Sequence, residues 1–148
     1  MSQHDWVCKK GELPTEDSKY FANMTRVIFQ AGLNWKVITS KWPDFQDAFA
    51  NFDPEKVAKF MEADVHQLMT NKAIVRNEAK IRATINNAES FREIAAEAGS
   101  FRNYLETLLT TQGVDKTTKT LQKRFNRLGK TSSSIFLWSV GVDVPHPD

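Results

Sequence analysis

The chain has 148 residues, 41% hydrophobic and 26% charged, with six glycines, five prolines and a single cysteine, which fits one globular domain and excludes intrinsic disorder, a disulfide-stapled scaffold and a flexible linker. Net charge is +2, yet residues 116–142 carry six basic side chains and no acidic one, leaving 14 basic against 18 acidic elsewhere; a near-neutral body with one cationic segment points to a localised anionic partner. No apolar run approaches the ~20 residues needed to span a bilayer, and Met1-Ser-Gln-His-Asp5 lacks the apolar segment of a secretion signal, so no membrane and a cytoplasmic location are expected.

Along the chain, helix follows helix. Residues 1–13 have no periodicity and are expected to be irregular. Thr15 to Ser18 supply caps and N-terminal negative charge, Phe21, Met24, Ile28 and Ala31 recur at helical spacing, and Gly32 stands where a left-handed terminator is needed. Asn34 caps a short helix carrying Trp35, Val37 and Ile38, which Pro43 is expected to stop; Asp44 then starts another through Phe45, Ala48 and Phe49. Asp53-Pro54-Glu55 is a strong start signal for a helix with Val57 and Phe60 facing inward.

Asp64 opens a helix through Val65, Leu68 and Met69. The longest periodic segment runs from Arg76 to Ala98, with Ile81, Ile85, Ala88, Phe91 and Ile94 on one stripe and Gly99 at its end. Ser100 caps a helix containing Phe101, Tyr104, Leu105 and Leu108; residues 110–115 read as a polar loop. Two last helices, 118–125 and 133–140, flank a turn at Leu128-Gly129. There is no alternating strand, internal repeat or low-complexity tract. The expectation is an all-α single domain, residues 1–148, of about nine helices.

Two places carry chemistry. In Phe125-Asn-Arg-Leu-Gly-Lys-Thr131 a glycine-centred turn joins two helices, a design that aims backbone N–H groups and a helix's positive end at a phosphate. Gly129 permits the tight backbone, Lys130 adds charge, and Thr131 with the following serines caps and contacts phosphate. Lys123, Arg124 and Arg127 add non-specific attraction. Gly129-Lys-Thr131 imitates a nucleotide-binding P-loop, but that motif needs a glycine at Arg124 and a strand before it. The second place is Gly32-Leu-Asn-Trp35, where a helix end presents an indole. A base acted on within duplex DNA must be extruded and held by stacking, which suits Trp35 as the plate and Leu33 as a wedge. By residue type alone, burial of both in the core is the commoner outcome.

Gln30-Ala-Gly-Leu-Asn-Trp35, Phe49 with Phe52-Asp-Pro54, Ile74-Val-Arg-Asn77 with Lys80-Ile81, Asn87-Ala88, Gly99-Ser-Phe101 and Gly129-x-Thr131 together resemble the 3-methyladenine DNA glycosylase I family, within the helix-hairpin-helix DNA glycosylases. The likeness covers nearly the whole chain. It implies a helix-hairpin-helix motif, a monomer acting on double-stranded DNA with alkylated bases, and hydrolysis of the N-glycosidic bond of 3-methyladenine. By the same resemblance Trp35 stacks the base, Gly32 and Leu33 probe the DNA, and Gly129, Lys130 and Thr131 hold phosphate. No lysine matches the nucleophile of the strand-cleaving hairpin enzymes, so monofunctional chemistry is implied, with no catalytic residue identified.

Three departures qualify the likeness. The family typically has a base-recognising glutamate eight residues before the stacking tryptophan, where this chain has Val27. Its aromatic N-terminal segment is reduced to His4-Asp5-Trp6, which places Trp6 with the base-binding group. Its zinc clip is incomplete, with only His4, Cys8 and His146 as partial counterparts, so no metal is expected. His66 reads as an ordinary helix residue, and Asp143 and Asp148 as solvated tail carboxylates. Two rivals follow from these departures: a non-catalytic DNA or damage-binding relative, and a helical protein-interaction module.

Overall fold

The computed structural model describes residues 6–145. They form α1 (Asp17–Gln30), α2 (Trp35–Ala48), a 3-10 turn (Ala50–Phe52), α3 (Pro54–Val57), α4 (Glu62–Thr70), α5 (Glu78–Ala98), α6 (Phe101–Arg124) and α7 (Lys130–Ser139), with no strand among the described residues. The all-α single-domain expectation holds. Seven α-helices stand where about nine were expected, because two expected breaks are absorbed into continuous helices.

The first is Pro43, which lies inside α2 instead of ending it. Its missing N–H and ring disfavour a helix interior by about 3 kcal/mol. Pro43 is exposed, however, so water can satisfy the carbonyl it leaves unpaired, while its neighbours are held by the core. Trp42 stacks on Phe45 and Phe52, the latter at 5.1 Å between ring centroids and 11° between planes. The second is the 110–115 loop, which shrinks to one residue: only Gly113 departs from helical geometry, at φ 81° and ψ 174°. Thr111, one of the polar side chains that suggested a loop, bonds back to its own helix by donating to the Thr107 carbonyl, and just beyond the segment Thr117 donates to that of Gly113.

Helices α1 and α5 make the centre. α1 packs on α2, α5, α6 and α7, and α5 also meets α3, α4 and α6. Tyr20, Phe21, Met24, Val27, Ile28 and Phe29 are all buried, and so are the polar Asn23, Thr25 and Arg26, so α1 is enclosed on nearly every side. Each buried polar group has a partner; Asn23, for example, donates to the Ser139 carbonyl at 3.1 Å. The 3-10 turn takes left-handed φ at Ala50, Asn51 and Phe52 (53°, 55° and 57°). That backbone is unfavourable for L-residues by roughly 1–2 kcal/mol each, and the buried stack of Phe52 on Trp42, with Phe49 alongside, holds it in place.

Residues 6–13 contain no helix, as expected, and strap across the end of α7. Cys8 N–H donates to the Ser139 carbonyl (2.9 Å) and Gly11 N–H to that of Gly141 (2.7 Å). Gly141 has φ +89°, and a Cβ there would lie 2.6 Å from the Lys9 carbonyl oxygen, so only glycine lets the strap lie this close.

Candidate base and DNA-phosphate site

α1 stops because Ala31 swings to ψ 120° and Gly32 takes φ +79°, a conformation that glycine adopts without strain. Leu33 N–H returns to the Gln30 carbonyl at 2.9 Å, and the Asn34 side chain caps α2 by accepting from Lys36 N–H at 2.8 Å. The turn therefore projects outward. Leu33 is 43% and Trp35 39% exposed, whereas every phenylalanine of the core is 3% exposed or less. Burial in the core, the commoner fate of such residues, does not apply to either.

The second turn, residues 125–129, joins α6 to α7. Gly129 was expected to supply the tight backbone, but its φ is −94°; Arg127 takes the left-handed conformation, at φ 63°. A Cβ on Gly129 would meet nothing within 4 Å, so what the glycine leaves open is the outer approach to the start of α7. The first intrahelical bond of α7 runs from Ser133 N–H to the Gly129 carbonyl at 2.9 Å, leaving the amides of Lys130, Thr131 and Ser132 at the helix's positive end. Gly129, Lys130 and Thr131 are exposed. The Ser133 and Ser134 hydroxyls turn back to their own helix, both donating to the Lys130 carbonyl.

The flanking cations divide. Lys123 and Arg127 are exposed. Arg124 is turned to α5, where it reaches the Glu97 carboxylate at 3.3 Å and lies 5.6 Å over the Tyr104 ring. Its charge is committed within the protein.

α5 carries both turns. Its Lys80 side chain donates to the carbonyls of Ala31 (2.8 Å) and Phe29 (3.3 Å), the last of α1, directly beneath the Gly32–Trp35 turn. Its Asn87 side chain brackets the other turn, accepting from Asn126 N–H (2.7 Å) and donating to the Asn126 carbonyl (3.1 Å). Seven residues along a helix amount to two turns, about 10.5 Å, on nearly the same face. Both turns are therefore anchored on one face of α5, about two helical turns apart. Burial, and then the nearby charge of Arg127, push the Lys80 ammonium pKa below its usual value. Asn77, from the same sequence motif, caps α5 by accepting from Lys80 N–H.

Val27 is 2% exposed, an apolar residue sealed in the interior. The adjacent Arg26 is 3% exposed, and its guanidinium lies between two indoles, 4.7 Å from the Trp6 ring and 5.1 Å from that of Trp42. It donates to the Thr39 hydroxyl (2.9 Å) and the Gln30 side chain (3.2 Å). Thr39 is one helical turn beyond Trp35, so Arg26 ties the first turns of α2 to α1. Sequence reading passed over Arg26; the available signal was a basic residue directly before the apolar run Val27-Ile-Phe29. Trp6 is half-buried against Arg26, and its carbonyl accepts from Lys19.

Of the zinc-clip counterparts, His4 and His146 lie outside the described residues, as does Asp148. Cys8 is half-buried, and burial pushes its thiol pKa up, which favours the protonated form over the thiolate that binds zinc. Among the described residues no group of three or more His, Cys, Asp or Glu is placed to hold a metal ion. Asp143 pairs with Lys10 at 3.1 Å on the strap.

A helical body with an exposed leucine and indole on one turn, and a cationic turn opening a helix anchored on the same face of α5, defines a candidate nucleic-acid-binding protein. Comparison with known proteins narrows the class: the chain belongs to the methyladenine glycosylase family, whose model matches residues 4–137. It is 29% identical to the DNA-3-methyladenine glycosylase of Haemophilus influenzae over 99% of this chain and 88% of that protein. It is 28% identical to DNA-3-methyladenine glycosylase 1 of Escherichia coli over 89% and 80%. A crystal structure of 3-methyladenine DNA glycosylase I superposes with TM-score 0.80 at 26% identity, covering 96% of this chain and 94% of that one. A glutamate-to-glutamine mutant of the Staphylococcus aureus enzyme superposes at 0.81 and 28%, covering 99% and 90%.

Proposed function

We propose that the chain is a monofunctional DNA glycosylase of base-excision repair that removes 3-methyladenine from double-stranded DNA. The observation that supports this reading, beside membership of the family, is that Leu33 and Trp35 lie outside the core on a turn tied by Lys80 to the same helix that Asn87 ties to the basic turn. The α6–α7 turn serves as the helix-hairpin-helix grip: the amides at the start of α7, with Lys130, Thr131, Lys123 and Arg127, hold backbone phosphate and set register without reading sequence. Leu33 fills the gap left in the stack, Trp35 holds the extruded base, and Gly32 lets the turn approach the duplex.

Chemically, little is asked of the protein. A base methylated at N3 is cationic, so the C1′–N9 bond breaks with its electron pair going to the base, which leaves neutral; water adds at C1′ and loses a proton, giving an abasic site. Binding that favours the extruded geometry and the developing sugar cation supplies the rate. The reading fits a protein working as a monomer in the cytoplasm without a resident metal.

One observation favours a second reading, a DNA-binding relative that does not excise. Val27 is an apolar, sealed residue where the family typically offers a carboxylate, and a valine side chain accepts no hydrogen bond from a base. The deciding experiment is single-turnover incubation with DNA treated with a methylating agent, with chromatography of the released bases. Free 3-methyladenine establishes the glycosylase. Salt-sensitive DNA binding with no released base establishes the binder.

A further inference from the structure

We propose that Lys80 is a positioning residue for base extrusion: its ammonium fixes the Gly32–Trp35 turn in register with the phosphate grip, so that anchoring on DNA and insertion of the wedge and plate occur as one event. The inference rests on the reading of Leu33 and Trp35 as wedge and plate.

Three observations carry it. Lys80 is 8% exposed, yet its Nζ donates to the carbonyls of Phe29 and Ala31. Those carbonyls sit at the negative end of α1, where a cation is favourable and where the chain leaves the helix to form the protruding turn. An apolar side chain here would leave both without this donor and release the base of the turn. Second, Lys80 is on α5, the helix whose Asn87 holds the grip through the Asn126 backbone. The turn is thus tied to the grip through a rigid helix and not through the longer path of the core. Third, the neighbouring charge is Arg127, a cation on the grip itself, whose left-handed backbone keeps it in the bend. The two cations repel. A phosphate seated at Arg127 offsets that repulsion.

A residue that only stabilises the fold would weaken binding, flipping and melting together. A positioning residue separates them, because a misplacement of order 1 Å in a reacting constellation lowers its rate by about 10²-fold while the phosphate contacts stay intact. The test uses the full chain, with Lys80→Met, Lys80→Gln and Lys80→Arg beside wild type, on duplexes carrying 2-aminopurine next to the target base, whose fluorescence rises when its stacked neighbour is extruded. The inference expects Kd for duplex within about 3-fold of wild type, the flipping signal of Lys80→Met reduced by roughly 10-fold or more, and most of it regained in Lys80→Arg. Lys80→Gln, which keeps a donor, falls between them and carries the comparison if Lys80→Met does not fold. Flipping equal to wild type in every variant overturns the inference, as does loss of flipping that follows Kd and Tm in proportion without rescue by arginine. Wild type that binds duplex without any flipping signal overturns the wedge-and-plate reading itself, and excision is not needed to see either result.

Discussion

Neutralising single cations of the basic segment separates what charge counting predicts from what the structure predicts. By sequence, Lys123, Arg124 and Arg127 are equivalent sources of attraction around Lys130. In the structure Arg124 is spent on Glu97 and Tyr104, while the other three are exposed around the turn. Each phosphate contact adds about 0.9 to the slope of log affinity against log salt, so three contacts give a slope of about −2.7, a roughly 40-fold loss of affinity for a fourfold rise in salt. Lys130→Gln should bring that share to about −1.8 and the loss to roughly 12-fold. Arg124→Gln should leave the slope as it was. Fluorescence anisotropy of a labelled duplex, titrated with KCl at fixed pH, measures both. An Arg124→Gln slope that falls as far as that of Lys130→Gln would refute the assignment of the phosphate grip.

Other expectations follow from the same geometry. Trp35→Ala should lower stability modestly, by less than about 2 kcal/mol, while abolishing most excision; Phe49→Ala, in the sealed core, should cost about 3–5 kcal/mol, so denaturant melts of the pair reveal whether the indole is plate or packing. Gly141→Ala places a Cβ against the Lys9 carbonyl at an unfavourable φ and should destabilise by about 1–3 kcal/mol, with faster proteolysis of the N-terminal strap; an unchanged Tm contradicts the close approach. Burial raises the Cys8 pKa, so at any pH below it less thiolate is present in the folded chain than in the unfolded one, and alkylation by iodoacetamide at pH 8.5 should be slower before urea than after. Equal rates would mean an open thiol. Lys80 gives a pH effect of opposite sense. Its folded pKa lies below the unfolded value near 10.4, so the unfolded state binds more protons between the two, and stability relative to Lys80→Met should rise with pH through that window.

Helix starts and stops dictated by local chemistry were legible in the sequence. Asn34, Asp53 and Ser100 each accept the backbone N–H that their residue type suggests, and Gly32 and Gly99 take the positive φ that a helix end needs. These depend on residues two to four apart. Pro43 and the 110–115 segment misled for the complementary reason: a local preference of a few kcal/mol was outweighed by distant partners, the Trp42–Phe52 stack in one case and the packing of α6 on α5 and α7 in the other.

The same division runs through the site. The amino-acid order alone determined that an indole and a leucine follow a glycine stop, and that a run of cations surrounds a turn, because these are facts of neighbouring residues. Whether the indole faced water, whether the two turns shared a side, and which arginine stayed available for phosphate were decided only by tertiary contacts: Lys80 reaching back 49 residues to Ala31, Asn87 reaching forward 39 to Asn126, and Glu97 claiming Arg124 across 27. Hydrogen bonds and ion pairs of that separation leave no periodicity in the chain, since they depend on how packed helices meet and not on the spacing within any one of them.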